Sequence, residues 1–168
     1  EVTGMLSVVD ANAFNTLVNG LLSAKHVVVA GDGRARHVAG AFARRLSRMG
    51  RSVSFVGDAS GRPAGKGDLL LVASLKGARG PLFVLAESAR KRGVRVVAIV
   101  GEPSSVLAAS VDLVVPLSAQ TRTPFESIGG AGRASRLAFD DAVLLYLDAV
   151  LLALQDLLRV PPEEKDEE

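Results

Sequence analysis

The sequence is poor in the residues on which many sites depend: it has no cysteine, only two histidines, and 4% aromatic residues. The absence of cysteine excludes disulfides, thiolate chemistry and cysteine-based zinc sites. His26 and His37 are far apart in the chain, and no carboxylate stands at ligand spacing from either, so we predict no metal and no other cofactor. Because no basic cluster is interleaved with stacking residues, we also predict no nucleic-acid partner.

Long apolar runs are missing as well. No stretch approaches the roughly 20 residues that a membrane-spanning helix needs, and the first residues lack a basic segment followed by an apolar core. We therefore expect no membrane partner and a cytoplasmic location. The length of 168 residues, with 48% hydrophobic residues, is typical of one domain. We predict a single domain over residues 1–160 and a disordered acidic tail over residues 161–168.

The charge is unevenly distributed. Residues 163–168 hold five acids and one lysine, a net −4, so the chain's overall +2 leaves +6 on residues 1–162. Arginine outnumbers lysine fifteen to four in that larger part. Since arginine is suited to bidentate contacts with carboxylate or phosphate, this balance favours an anionic small-molecule ligand.

The most informative stretch is residues 26–50. A β-branched run at residues 27–29 leads into the turn 31–33, Gly-Asp-Gly, and then into apolar residues at helical spacing: Val38, Phe42, Leu46 and Met49. This pattern predicts a strand that turns tightly into a helix. Such a turn directs the unpaired N–H groups of the helix start toward an anion beyond the strand.

Strands and helices alternate along the rest of the chain. The patterns predict an N-terminal helix within residues 3–24, later helices at 81–92, 103–110 and 134–160, and further strands at 51–57, 68–74, 94–101 and 112–117. A long loop, residues 118–133, precedes the last helix. The apolar strands indicate a three-layer α-β-α fold around a five-stranded parallel sheet, with the ligand beyond the carboxyl ends of the strands.

Two loops qualify for that ligand site, residues 31–36 and 74–80. The first resembles a dinucleotide fingerprint, but the sixth position, which should be glycine, is Arg36; Asp58 would supply the acid for a ribose. In the second loop Ser74, Lys76, Gly77 and Arg79 precede a helix start and suit a single compact phosphate. The alternative is that Lys76 and Arg79 are solvated surface charges.

Several segments resemble the sugar isomerase (SIS) domain family. AGDGRARHVAGAFARRLSRMG resembles the family's G-x-G-R-S turn and the helix after it, and GDLLLVASLKGARG resembles its phosphate-binding segment. VVAIVG, DLVVPL and FDDAVLLYLDAV match later family segments in order. Within the family, the chain is most similar to the 6-phospho-3-hexuloisomerases.

This resemblance implies a flavodoxin-like strand order and a homo-oligomer, commonly a tetramer, with sites between subunits. It implies a metal-free isomerase that interconverts a 3-keto and a 2-keto hexose 6-phosphate through an enediol. Asp140 would then be the proton-transfer group. The residues implied to hold the sugar phosphate are Gly31, Gly33, Arg34, Ser74, Lys76, Gly77 and Arg79.

The chain departs from the family at several of these positions. Ala35 replaces a serine, Lys76 and Arg79 stand where the family has serine and threonine, and Asp140 replaces a glutamate. No histidine follows His37, so the family's C-terminal histidine has no counterpart. His37 and Glu126 are further candidates for acid-base chemistry, although each is also explained as an ordinary surface residue. Two functions therefore stay open: an isomerase, or a non-catalytic sugar-phosphate-binding protein that acts as a sensor or assembly partner.

Overall fold

A computed structural model of the chain describes residues 2–7, 9–59, 61–118 and 131–158, without the side chains of residues 131–136. The helices are α1 (Val2–Ser7), α2 (Ala11–Ser23), α3 (Ala35–Arg48), α4 (Pro81–Lys91) and α5 (Ala131–Leu158). The strands are β1 (Val27–Gly31), β2 (Val53–Phe55), β3 (Leu69–Ser74), β4 (Arg95–Val100) and β5 (Leu113–Pro116).

The five strands form one parallel sheet in the order β2-β1-β3-β4-β5. Val27 lies opposite Val53 of β2 on one side and opposite Leu69 of β3 on the other. This arrangement confirms the predicted α/β class and flavodoxin-like order. The order reverses between β1 and β3, which creates the switch point where ligands of such sheets bind.

Helices cover both faces of the sheet, because the side chains of each buried strand point alternately to the two faces. On one face, α2, α3 and α5 pack on Val29, Leu71 and Ile99. On the other, α4 packs on Val28 and Val72. β3 is buried along its whole length, as its unbroken apolar run predicts. No helix in the described ranges is long and apolar enough to cross a membrane.

The N-terminal region contains two helices where one was predicted. The Asp10 carboxylate accepts hydrogen bonds from the backbone N–H groups of Asn12 (3.1 Å) and Ala13 (3.3 Å), and so caps the start of α2. α2 then continues through Gly20, as predicted. A Cβ at Gly20 would lie 3.0 Å from Leu69 Cδ1, so glycine brings the helix close to the sheet.

The helix predicted over residues 103–110 is wrong. Only a 3-10 turn, Ala108–Ser110, forms in this stretch. The backbone N–H of Leu107 donates to the carbonyl oxygen of Gly77 (3.0 Å), and this removes it from the hydrogen-bond ladder that an α-helix needs. Residues 119–130, which include Glu126, and the predicted tail at 161–168 lie outside the described residues.

Candidate functional site

The first turn of the site is shaped by its glycines. β1 ends at Gly31, where a Cβ would lie 2.9 Å from the Cα of Arg36, and Gly33 has a left-handed φ of +52°. The N–H of Arg36 donates to the carbonyl oxygen of Asp32 (3.2 Å), which closes the turn as α3 begins. Both predicted glycines therefore have a conformational role here, whatever they do toward a ligand.

The second loop is tied to the first by a side-chain hydrogen bond. The buried Ser74 hydroxyl donates to the Asp32 carboxylate (2.7 Å) and accepts the backbone N–H of Gly77 (3.1 Å). The N–H of Asp32 also donates to the carbonyl oxygen of Ala73 (3.2 Å). Since Ser74 already has two partners within the protein, its hydroxyl is engaged in holding the loops together.

Gly77 has a second structural role. Its φ is +53°, and a Cβ at this position would overlap the hydroxyl of Ser105. Its carbonyl oxygen also accepts the N–H of Leu107. Gly77 therefore connects the loop at residues 74–80 to the segment between β4 and β5.

The two cations of this loop are exposed. The guanidinium of Arg79 stacks over the ring of Phe83 in α4, 5.3 Å from the ring centroid. Lys76 makes no hydrogen bond or ion pair with the residues that the structure describes. Both side chains are thus accessible to an anion in solution, and they lie on the loop that leads to the start of α4.

Asp140 reaches the same region from α5. Its Oδ2 atom lies 3.4 Å from Arg34 Nε, and its side chain is 14% exposed whereas that of Arg34 is 69% exposed. Burial raises the pKa of Asp140, Arg34 lowers it, and the nearby Asp141 and Asp32 raise it again. A carboxyl group with a raised pKa beside a cation is suited to proton transfer.

Asp32 belongs to this cluster, although the sequence alone predicts no role for it in a sugar-phosphate site. It accepts the Ser74 hydroxyl, and its charge acts on Asp140. The sequence did contain a signal for this role, because Asp32 lies between two turn glycines at the end of a strand. Its partner Ser74 is 42 positions away in sequence, so the contact depends on the pairing of β1 with β3.

The two histidines lie in other surroundings. His26 is buried, and its ring nitrogens contact the hydroxyls of Ser52 (2.7 Å) and Ser54 (2.8 Å). Burial lowers the pKa of His26, with a further decrease from Arg62. His37 is exposed and lines a cleft beside α3. Within the described ranges, no group of three or more His, Asp or Glu side chains is placed to hold a metal ion.

Comparison with known proteins gives consistent matches. The SIS domain family model matches residues 20–135. A Mycobacterium gastri protein named 3-hexulose-6-phosphate isomerase is 34% identical over 98% of this chain and 82% of its own length. A Bacillus subtilis protein of the same name is 29% identical over 83% of this chain and 76% of its own length.

The fold has a counterpart among solved structures. A Methanococcus jannaschii protein, whose structure infers a molecular function of 3-hexulose-6-phosphate isomerase, superposes with a TM-score of 0.77. It is 25% identical, and the match covers 89% of this chain and 80% of that protein.

Proposed function

This chain belongs to the SIS domain family, and from that premise we propose that it is a sugar-phosphate isomerase of the 3-hexulose-6-phosphate type. The observation that carries the proposal is the placement of Asp140 beside Arg34 at the β1–β3 switch point. The similarity to the Mycobacterium gastri isomerase over nearly the whole chain supports the substrate class. The proposed substrate and product are a 3-keto and a 2-keto hexose 6-phosphate.

The phosphate is held by charge in this proposal. Lys76 and Arg79 are exposed cations on one loop, and the first N–H groups of α4 lie just beyond them. Ser74 acts indirectly, because its hydroxyl already bonds Asp32 and Gly77. Lysine and arginine thus take the place of the family's hydroxyl groups as phosphate ligands.

Asp140 carries the proton in the proposed reaction. Its carboxylate takes the proton from carbon 2 of the 3-keto sugar, which leaves an enediolate across carbons 2 and 3. Asp140 returns a proton to carbon 3, and the hydroxyl proton on oxygen 2 leaves as oxygen 3 gains one, so the carbonyl now lies at carbon 2. Arg34 stabilises the charge on the enediolate oxygen.

A coupled assay that measures formation of fructose 6-phosphate from the 3-keto hexose 6-phosphate tests this function. Asp140→Asn should lower kcat by about 10²- to 10⁴-fold, the usual contribution of a general acid-base group. Asp156→Asn, which changes an exposed acid on the same helix, should leave kcat unchanged.

Sugar-phosphate binding by the Asp140→Asn variant must be measured in parallel. Wild-type turnover no greater than that of Asp140→Asn, with intact binding in both, would contradict the isomerase and support a non-catalytic sensor or assembly partner. Absence of binding as well would contradict both functions.

We also propose that the protein assembles as a homo-oligomer, with a tetramer as the expected form. Support comes from α5, where large leucine side chains remain exposed at positions spaced by about two helical turns. Their exposed fractions are 41% for Leu137, 42% for Leu144, 50% for Leu145 and 61% for Leu152. Burying this apolar stripe against a second copy would remove it from water.

A further inference from the structure

A strongly basic cleft lies beside α3, apart from the switch point. It has a volume of about 830 Å³ and runs between α3 and the edge strand β2. Among the described residues, the charged and titratable lining consists of Arg36, His37, Arg44, Arg45 and Arg48, with one acid, Asp58. The isomerase proposed above uses none of these side chains, so the cleft needs a separate explanation.

Two of its arginines have no side-chain partner among the described residues. Arg45 bonds Asp148 of α5 at 2.9 Å, and Arg36 stacks over the ring of Phe55. The side chains of Arg44 and Arg48 make no hydrogen bond or ion pair with any residue that the structure describes. They are one helical turn apart, at a spacing where like charges repel and destabilise a helix. An anion bound across both would remove that repulsion.

The spacing of these residues defines a linear site. His37, Arg44 and Arg48 lie on one stripe of α3, because they occupy positions i, i+7 and i+11. At 1.5 Å per residue the stripe is about 16 Å long. Its length and charge suit an extended acidic peptide of about six residues.

Residues 163–168 of this chain have that chemistry. They contain five acids and one lysine, whereas the rest of the chain is basic. Six extended residues span about 20 Å, enough to follow the whole stripe. The segment is carried by α5, the helix whose Asp148 already contacts Arg45 in the wall of the cleft.

The helix geometry places this segment within reach. α3 and α5 run in the same direction, since Arg34 meets Asp140 and, further along both helices, Arg45 meets Asp148. α5 continues to Leu158, about 15 Å beyond Asp148, whereas α3 ends at Arg48, about 5 Å beyond Arg45. This axial difference of about 10 Å and a separation of about 10 Å between packed helices combine to about 14 Å. The five residue steps from Leu158 to residue 163 can span about 17 Å, which is enough to reach the end of α3.

We propose that residues 163–168 dock in the α3–β2 cleft of the same chain, with their carboxylates on Arg44 and Arg48. Carboxylate and guanidinium groups form paired hydrogen bonds, and arginine prefers this geometry. A nucleic acid fits the cleft less well. Phe55, the one Phe, Tyr or Trp among the described residues of its lining, is already covered by Arg36, so this ring is not open for a base to stack on.

Zero-length cross-linking of the full chain tests this docking. Arg44→Lys and Arg48→Lys keep the positive charge and add an amine, which a carbodiimide joins to a nearby carboxylate as an amide with loss of water. We expect mass spectrometry to find an amide between position 44 or 48 and residues 163–168. The yield should fall several-fold in 0.5 M NaCl, because salt screens exposed charges. Arg92→Lys, at the end of α4 on the opposite face of the sheet, is the matched control.

Equal coupling in the Arg92→Lys control would overturn the proposal, as would no coupling at positions 44 and 48. Mixing ¹⁴N- and ¹⁵N-labelled protein separates the two ways of docking. Amides of uniform isotope content support docking within one chain, whereas mixed pairs would mean that a second copy supplies the segment and would overturn it.

A binding measurement provides a second test on the folded chain. The five acids of residues 163–168 are changed to their amides, and a fluorescent EEKDEE peptide is titrated. We expect the peptide to bind this variant at least tenfold more tightly than the wild type, and Arg44→Ala with Arg48→Ala should abolish the difference. A short single-stranded DNA that binds the wild type and the amide variant equally would show an open cleft and would overturn the proposal. Isomerase activity enters neither test, so the two proposals can fail separately.

Discussion

Asp140 is subject to opposing influences from its immediate neighbours. Burial raises its pKa, Arg34 lowers it, and Asp32 acts in the same direction as burial. A carboxyl group that acts as a base must be ionised, so activity should decline as the pH falls through its pKa. Each neighbour can therefore be tested by the position of the acid limb of the pH profile.

We predict that the two neighbours shift this limb in opposite directions. Asp32→Asn removes a negative charge, which lowers the pKa of Asp140 and moves the acid limb of kcat/KM to lower pH. Arg34→Gln removes a positive charge and moves the limb to higher pH, whatever it does to the maximal rate. The measurement is the pH dependence of kcat/KM for both variants and the wild type. Limbs that coincide would show that Asp140 is not the titrating group.

A second buried acid, Asp68, affects stability. Its carboxylate accepts hydrogen bonds from Arg62 at 2.7 and 3.1 Å and from the Gly65 N–H at 2.8 Å. The bond from Arg62 lowers the pKa of Asp68, and the one from Gly65 lowers it further, while burial opposes them. A lowered pKa in the folded state means that the stabilisation is complete above the unfolded pKa and is lost as the pH falls through the folded pKa.

Asp68→Asn should therefore reduce the free energy of unfolding at pH 7 by about 1–3 kcal/mol, the usual cost of breaking a charged hydrogen bond. Urea denaturation at several pH values measures the difference between variant and wild type. That difference should shrink as the pH falls below the unfolded pKa of about 3.9 and should approach zero only below the folded pKa, where Asp68 is protonated in both states. Asp58→Asn, which changes an exposed acid, is the matched control.

At the scale of elements, local patterns predict most of the fold. The β-branched or apolar runs at β1, β3 and β4 and the helical spacing in α3 depend on neighbours in sequence, so they can be recognised in the sequence alone. The helix prediction for residues 103–110 is wrong because the N–H of Leu107 donates to the carbonyl oxygen of Gly77, thirty positions earlier. The contact between Asp32 and Ser74 is non-local in the same way. The sequence thus identifies the loops of the candidate site. Which side chains of those loops meet depends on how the strands pair in the sheet.

The exposed leucines of α5 lead to a prediction about assembly. Leu144→Glu with Leu152→Glu should reduce the molar mass measured by light scattering, because two carboxylates would be buried in the contact between copies. Val84→Glu, on α4 and 63% exposed, should leave the mass unchanged. A wild-type protein that is a monomer at micromolar concentration would contradict the predicted oligomer.

At the scale of the whole molecule, the sequence is compatible with several anionic ligands. The increase in Tm that each ligand causes distinguishes them. A ligand that binds only the folded state at 100 times its Kd adds about 2.7 kcal/mol to the free energy of unfolding. For a chain of this size that corresponds to a Tm increase of roughly 5–10 °C. We predict this increase with a 3-keto or 2-keto hexose 6-phosphate and a smaller one with inorganic phosphate.

Lys76→Ala with Arg79→Ala should abolish both increases, because the loop at residues 74–80 would keep no free cation for the phosphate. The wild-type Tm without ligand should stay within about 2 °C in this variant, since both side chains are exposed and surface substitutions have small effects. NAD separates the remaining ligand class. An increase with NAD and none with sugar phosphate would mean that residues 31–36 bind a nucleotide despite Arg36, and the assignment of the phosphate to residues 74–80 would be wrong.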